Sequence, residues 1–371
     1  MKVLNLTTHL NVGGISSYIM TVGSRLRERG HEVTVLSGGG ELSEDFKKRG
    51  FKTVEFGIRT KNELHPKLFF ALPLILSFVK KEKFDVLHAH TRVTQVLAFF
   101  VSKITRVPLV TTAHGFYKPR FFRRKFGCWG DRVIAISPMV AESLEQDHKL
   151  SPQRIRVIQN AVDAPGLKQH IARENAGSLR RRYGAGKGDV VISAIGRLVQ
   201  DKGHEFLIEA VRDLKKSGVR VFLLILGDGR ENQRLNQLID KSRLRSSVRI
   251  LSKERGVARV LAVTDIFVHP ATYREGFGLS IAEAMIAGKP VIVTDIPAIN
   301  RIVKDQYTGL VVEPKSAVAL ETAIHFLIKN PDKMKRIAAN GCRMAAELCS
   351  VDRMADEFEK LYAEVTAKCQ N

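Results

Sequence analysis

Tyr273-Arg274-Glu275-Gly276-Phe277-Gly278-Leu279-Ser280-Ile281-Ala282-Glu283-Ala284 is the stretch around which the rest of the chain is organised. An apolar run, Asp265-Ile266-Phe267-Val268-His269-Pro270, precedes it. A helix-compatible run follows as far as Gly288-Lys289-Pro290, and Val291-Ile292-Val293-Thr294 reads as a second strand. The unit is strand, loop, helix, strand, with two glycines and a carboxylate in the loop. A helix N-terminus offers unpaired N–H groups and the positive end of the peptide dipole, so it suits an anion. Gly276 and Gly278 let the backbone come close to that anion. Glu283, about one turn into the helix, would repel the anion; it is better suited to accept hydrogen bonds from a vicinal diol such as a ribose. Glu275, in the loop, can face another part of the same ligand. Ordinary βαβ connections with solvated glutamates share this short pattern, so its company decides its meaning.

That company begins with Ile195-Gly196-Arg197-Leu198-Val199-Gln200-Asp201-Lys202-Gly203 after an earlier apolar run, with Gly227-Asp228-Gly229 further on. Arg197 offers a planar fork and Lys202 a point charge, so the pair can hold a diphosphate from two sides. The Glu-x7-Glu spacing with Gly-Phe-Gly-Leu inside it, the Gly-Arg-x4-Lys-Gly element and the Gly-Asp-Gly turn together resemble the signature of family 4 (group 1) retaining glycosyltransferases. Bacterial lipopolysaccharide and envelope enzymes are members of that family. The likeness extends over nearly the whole chain.

The resemblance implies the GT-B fold, two Rossmann-like doubly wound domains facing a cleft. It implies a hexosyltransferase-type enzyme that needs no metal and no cofactor, with a nucleoside-diphosphate sugar as donor substrate. Carried over by position, Gly13 and Gly14 would form a loop near the donor phosphates, and His114 would sit by the transferred sugar. Arg197 and Lys202 would neutralise the leaving diphosphate, with Gly196 and Gly227 in the surrounding turns. Glu275 would contact sugar hydroxyls, and Glu283 the ribose. Gly276, Phe277, Gly278 and Leu279 would line the phosphate site, the last two through backbone N–H groups. Cations and N–H groups aimed at the leaving phosphate stabilise charge that develops in the transition state.

The rest of the chain fits a doubly wound α/β protein. Lys2–Thr8 reads as a first strand, followed by Asn11-Val12-Gly13-Gly14 and a helix to about Arg29. Strands are expected at 32–37, 52–58, 84–91, 107–115, 132–137 and 154–161, then at 190–195, 221–226, 248–251, 266–269, 291–294 and 309–312. Apolar strands alternating with helical patterns imply parallel sheets covered on both faces. Ligands gather at the carboxyl ends of such strands, where Gly13, Gly14, His88, His90, His114, Ser137 and Asn160 fall. His88 and His90 share one strand face, but no cysteine or carboxylate at suitable spacing joins them as a metal set. The glycines and the Arg180-Arg181-Arg182 run in 163–187 read as a polar connector. The expected domains are thus 1–165, which binds acceptor, and 166–350, which binds the nucleotide sugar, with a final helix at about 351–368 packing back on the first.

The chain has 371 residues, 44% of them hydrophobic, and carries a net charge of +22 shared by both halves. An anionic partner is implied. The four cysteines form no CxxC pair, which points to a reducing, cytoplasmic setting. Met1-Lys2-Val3-Leu4-Asn5-Leu6 is too short for a signal peptide. The longest apolar run, Leu68 to Val79, has 12 residues, short of the ~20 that span a bilayer.

Phe116-Tyr117-Lys118-Pro119-Arg120-Phe121-Phe122-Arg123-Arg124-Lys125-Phe126 alternates aromatic and basic residues and holds no acid. Lys118, Arg120, Phe121, Phe122, Arg123, Arg124 and Lys125 are therefore candidates for acceptor or membrane contact, docking on anionic lipid at the inner face of the cell membrane. The same stretch also fits a helix with a solvated basic face, or nucleic acid, the least favoured partner. The function expected is transfer of a sugar to a lipid-linked or lipopolysaccharide-type glycan. Two other classes fit the same residues: a GT-B epimerase or phosphorylase, and a non-catalytic basic protein that binds nucleic acid or membrane.

Overall fold

The structure is a computed structural model describing residues 1–63, 65–119, 126–252 and 256–367. The chain forms two compact units. One comprises residues 1–161 with the C-terminal segment from Val351; the other comprises 162–350.

The first unit runs β1 (Lys2–Leu6), α1 (Gly14–Glu28), β2 (Glu32–Ser37), α2 (Ser43–Lys48), β3 (Lys52–Glu55), α3 (Pro66–Glu82), β4 (Val86–Ala89), α4 (Arg92–Thr105), β5 (Leu109–Ala113), β6 (Arg132–Ala135), α5 (Pro138–His148) and β7 (Ile155–Val157). Its strands are parallel, in the order β3-β2-β1-β4-β5-β6-β7. Parallel neighbours need a crossover, and the helices supply it. Every residue of β4 and β5 is buried, which is why these strands read as continuous runs rather than alternations.

The second unit begins with α6 (Ala164–Ala172) and α7 (Ala176–Tyr183), where a polar connector was expected. Leu179 and Tyr183 of α7 are buried with Val191, Phe222 and Val260. Arg180 Nη2 donates to both carboxylate oxygens of Asp265, at 2.6 and 2.7 Å. The arginine run is the polar side of a short amphipathic helix within the second compact unit, which starts at Val162.

The unit continues with β8 (Val190–Ile195), α8 (His204–Lys216), β9 (Val221–Leu226), α9 (Asn232–Lys241), β10 (Val248–Leu251), α10 (Val257–Val263), β11 (Ile266–His269), α11 (Leu279–Ile286), β12 (Val291–Thr294), β13 (Leu310–Val312), α12 (Ala317–Lys329) and α13 (Pro331–Leu348). The order is β10-β9-β8-β11-β12-β13, again parallel. Leu207, Ile208, Val211 and Leu214 of α8 recur at helical spacing and are buried, the stripe that an amphipathic helix lays on a sheet.

The last helix, α14 (Val351–Ala367), belongs to the first unit. Phe358, Leu361 and Tyr362 are buried, and Arg29 Nη1 reaches Asp356 Oδ1 at 2.6 Å and Glu359 Oε2 at 2.9 Å. In both sheets the strand order reverses, between β1 and β4 and between β8 and β11. Loops at the carboxyl ends of those strands are where open α/β sheets bind ligands.

Candidate active site

In the second unit β8 and β11 are neighbours, so the loops that follow them meet. Lys202 ends a short 3-10 turn, Gln200–Lys202, after β8. Its Nζ donates to Glu275 Oε2 in the loop after β11. His269, the last residue of β11, lies with Nε2 at 3.0 Å from the same oxygen, and the Gly276 N–H donates to Oε1 at 3.1 Å. Burial by itself would raise the Glu275 pKa. The His269 hydrogen bond and the Lys202 charge outweigh it and hold the carboxyl well below its ordinary range. Burial lowers the His269 pKa despite the carboxylate beside it. His269 is therefore the neutral donor and Lys202 the countercharge.

The glycines divide by role. A Cβ on Gly227 would lie 1.8 Å from the Gly196 carbonyl oxygen, so Gly227 serves the packing of the two loops. Gly278 caps α11 with φ +83°, a left-handed conformation that favours glycine, and Leu279 is the first residue of the helix. Phe277 is 6% exposed, so its side chain is turned into the core.

Arg197 is exposed, and its side chain has no hydrogen bond or ion pair among the described residues. Glu283 is half-buried on α11 and likewise lacks a polar partner; burial pushes its pKa up to about 7. A carboxylate held out of water without a donor is costly. It is suited to a ligand that brings donors.

In the first unit Gly13 and Gly14 open α1, and no atom lies within 4 Å of where a Cβ would stand on either. His114, just beyond β5, is linked to β4. Its Nε2 is 3.2 Å from His90 Nδ1, and His90 Nε2 is 2.8 Å from Asn5 Oδ1. A carbonyl oxygen accepts, so His90 carries its proton on Nε2 and accepts at Nδ1. His114 therefore donates from Nε2 and keeps a lone pair on Nδ1. Burial pushes the His114 pKa down to about 3 and lowers that of His90 well below its ordinary value, so both rings are neutral at pH 7. Tyr18 meets His114 edge-on at 4.6 Å.

His88 is spent elsewhere: Nδ1 lies 2.6 Å from Tyr362 Oη, and Nε2 lies 2.7 Å from Thr112 Oγ1. Both histidines have both nitrogens engaged, and the described residues contain no group of three or more His, Cys, Asp or Glu that could hold a metal ion.

Residues 176–344 match the family described as Glycosyl transferases group 1, and residues 12–164 match Glycosyltransferase Family 4. The chain belongs to the group 1, family 4 glycosyltransferases. It is 26% identical over 300 residues to alpha-D-kanosaminyltransferase of Streptomyces kanamyceticus, covering 75% of this chain and 77% of that one. It is also 26% identical over 311 residues to UDP-Gal:alpha-D-GlcNAc-diphosphoundecaprenol alpha-1,3-galactosyltransferase of Escherichia coli, covering 78% of each. HepE of Anabaena, solved with UDP and glucose, superposes with TM-score 0.84 at 21% identity, over 98% of this chain and 100% of that one. That likeness shows the GT-B fold.

For this glycosyltransferase the structure joins Lys202 to Glu275 directly and, among the described residues, gives the Arg197 and Glu283 side chains no polar partner. His269 was not singled out from the sequence as a site residue. The one available signal was its place at the carboxyl end of β11. Asn5 and Tyr18 were missed because their roles depend on a neighbouring strand and helix. Lys118 is exposed; Arg120, Phe121, Phe122, Arg123, Arg124 and Lys125 lie outside the described residues. Tyr117 packs edge-on to Trp129 at 5.8 Å rather than standing free. Among the described residues no helix is long and apolar enough to cross a membrane.

Proposed function

We propose that this glycosyltransferase transfers a hexose from a nucleoside-diphosphate donor, with retention of the anomeric configuration, to a lipid-linked or lipopolysaccharide-type glycan, working peripherally at the inner face of the membrane without a metal ion. The bond from the anomeric carbon to the β-phosphate oxygen breaks, a bond from that carbon to an acceptor oxygen forms, and the proton of the acceptor hydroxyl passes to the departing diphosphate. Negative charge grows on the departing diphosphate. Arg197, the Lys202 ammonium and the N–H groups of Gly278 and Leu279 stabilise it there. Glu283 accepts from the ribose diol. Glu275, ionised and fixed by Lys202 and His269, orients sugar hydroxyls. In the first unit, the Nδ1 lone pair of His114 serves a sugar hydroxyl, and the Gly13-Gly14 loop leaves room for phosphate.

The observation that carries this reading is the Lys202–Glu275 ion pair at the switch point of the second sheet, with an arginine in the same loop as Lys202 and a half-buried glutamate on the helix after Glu275, both unpaired among the described residues. The relative of Escherichia coli, whose name specifies a UDP-sugar donor and a diphosphoundecaprenol-linked acceptor, supports the substrate class. The test is incubation of the protein with radiolabelled nucleotide sugars and polyprenyl-diphosphate glycans, with and without EDTA. Transfer unaffected by EDTA, to a product of unchanged anomeric configuration, is expected. No transfer and no donor hydrolysis from any donor would overturn it.

A further inference from the structure

Helix α3 carries apolar residues on the side facing away from the core. Leu68, Ala71, Ile75 and Val79 are its buried stripe. An amphipathic surface helix should be polar on the other side. Instead Phe69, Phe70 and Leu74 are 62%, 77% and 61% exposed, with Pro73 exposed among them. Helix α4, which packs beside α3, adds Phe100 and Ile104 at 46% and 52% exposure.

The surrounding charge is one-sided. Lys67, Lys80, Lys81, Lys83, Lys103 and Arg106 are all exposed. The two acids within 65–106 are both engaged: Glu82 Oε2 takes Lys2 Nζ at 2.9 Å and Lys52 Nζ at 2.8 Å, and Asp85 accepts from the Lys2 backbone N–H at 2.6 Å.

From these observations we propose that the outward face of α3, with the exposed end of α4, docks this protein on an anionic lipid bilayer. Phenylalanine and leucine enter the boundary between headgroups and acyl chains, while the lysine ammonium groups remain level with the lipid phosphates. Nucleic acid would satisfy the cations and stack on the aromatics, but it leaves Leu74, Ile104 and Pro73 without a use. A bilayer uses both halves of the surface. The purpose of the docking rests on the proposed transfer to a lipid-linked acceptor. Its measurement does not, because vesicle binding is read with no donor or acceptor present, so either can fail alone.

The test is co-sedimentation of the full chain with vesicles of phosphatidylglycerol and phosphatidylcholine, and of phosphatidylcholine alone. Binding to the mixed vesicles is expected, with weak binding to the zwitterionic ones. Phe70→Asp/Leu74→Asp lowers the partition coefficient by about tenfold or more, and Lys80→Glu/Lys81→Glu does so at low salt but less at high salt. All four positions are exposed, so melting temperatures should hold; Lys103→Glu/Arg106→Glu is a second variant that avoids α3. Equal binding by wild type and Phe70→Asp/Leu74→Asp overturns the proposal. So does a concentration-dependent dimer, or an oligonucleotide complex, that this same variant abolishes while vesicle binding persists.

Discussion

His114 Nε2 lies 3.2 Å from His90 Nδ1, and the far nitrogen of His90 lies 2.8 Å from Asn5 Oδ1. Three residues from three adjacent strands or their ends thereby settle one tautomer, leaving His114 Nδ1 as an acceptor. His90→Phe removes the acceptor and frees the ring to turn. Turnover should fall by about 10–100-fold, the scale of a misplaced reacting geometry, with KM for the donor little changed. His90→Gln, which keeps a side-chain acceptor, should recover part of the loss. Equal turnover in wild type and His90→Phe would remove the relay from the mechanism.

Lys202→Met leaves Glu275 charged and buried with only His269 and a backbone N–H. Breaking a buried pair in this way costs about 3 kcal/mol, and loss of the cation should lower turnover by about 10²–10³-fold. In Lys202→Met/Glu275→Gln the orphaned charge is gone, so the melting temperature should recover while activity does not. Recovery of both together would make the pair purely structural.

Glu283→Gln should stabilise the protein without ligand at pH 8. The folded pKa, about 7, lies above the unfolded one, so its contribution to stability is complete below the unfolded value and is lost as pH rises through 7. Substitution removes that loss, about 1–3 kcal/mol. Nucleoside-diphosphate affinity should move the other way, rising with pH through 7 in the wild type as the carboxylate forms and staying flat in Glu283→Gln. Thermal shift at pH 6 and 8, with and without nucleotide, reads both.

Acid should unfold the first unit early. Burial holds the His88 and His114 pKa values at about 3, against about 6.5 in the unfolded chain. Between those values the unfolded chain binds protons that the folded one does not. The stability these groups contribute is complete above pH 6.5 and is lost as pH falls towards 3, by up to about 1.4 kcal/mol per pH unit for each ring. A melting temperature that is level from pH 7 to 5 would contradict this.

The second sheet was legible almost residue by residue: Val190–Ile195, Val221–Leu226, Val248–Leu251, Ile266–His269 and Val291–Thr294 are strands with the bounds expected. Strands buried on both faces read as unbroken apolar runs, and here glycine, proline or charged residues bound most of them. The expected strand 154–161 shrank to Ile155–Val157: the Ile158 N–H still donates to the Ala135 carbonyl at 3.1 Å, but Ala161 is apolar for packing, not for pairing. The stretch 163–187 was misread because two turns of helix give too short a period to stand out among glycines and arginines. The outward side of α3 was invisible for the opposite reason: an apolar run looks buried until something fails to cover it.

By itself the sequence determined the alternation of strand and helix, the two parallel sheets, and a set of loops bearing glycine, cation and carboxylate at strand ends. It also carried the family signature, since that depends on spacing along one segment at a time. The tertiary structure alone decided that Lys202 donates to Glu275, 73 residues away, because β8 and β11 become neighbours only when the intervening crossovers have closed the sheet. It likewise turned three histidines into one relay and one spent pair of bonds, because hydrogen-bond direction depends on which side chains lie across the sheet.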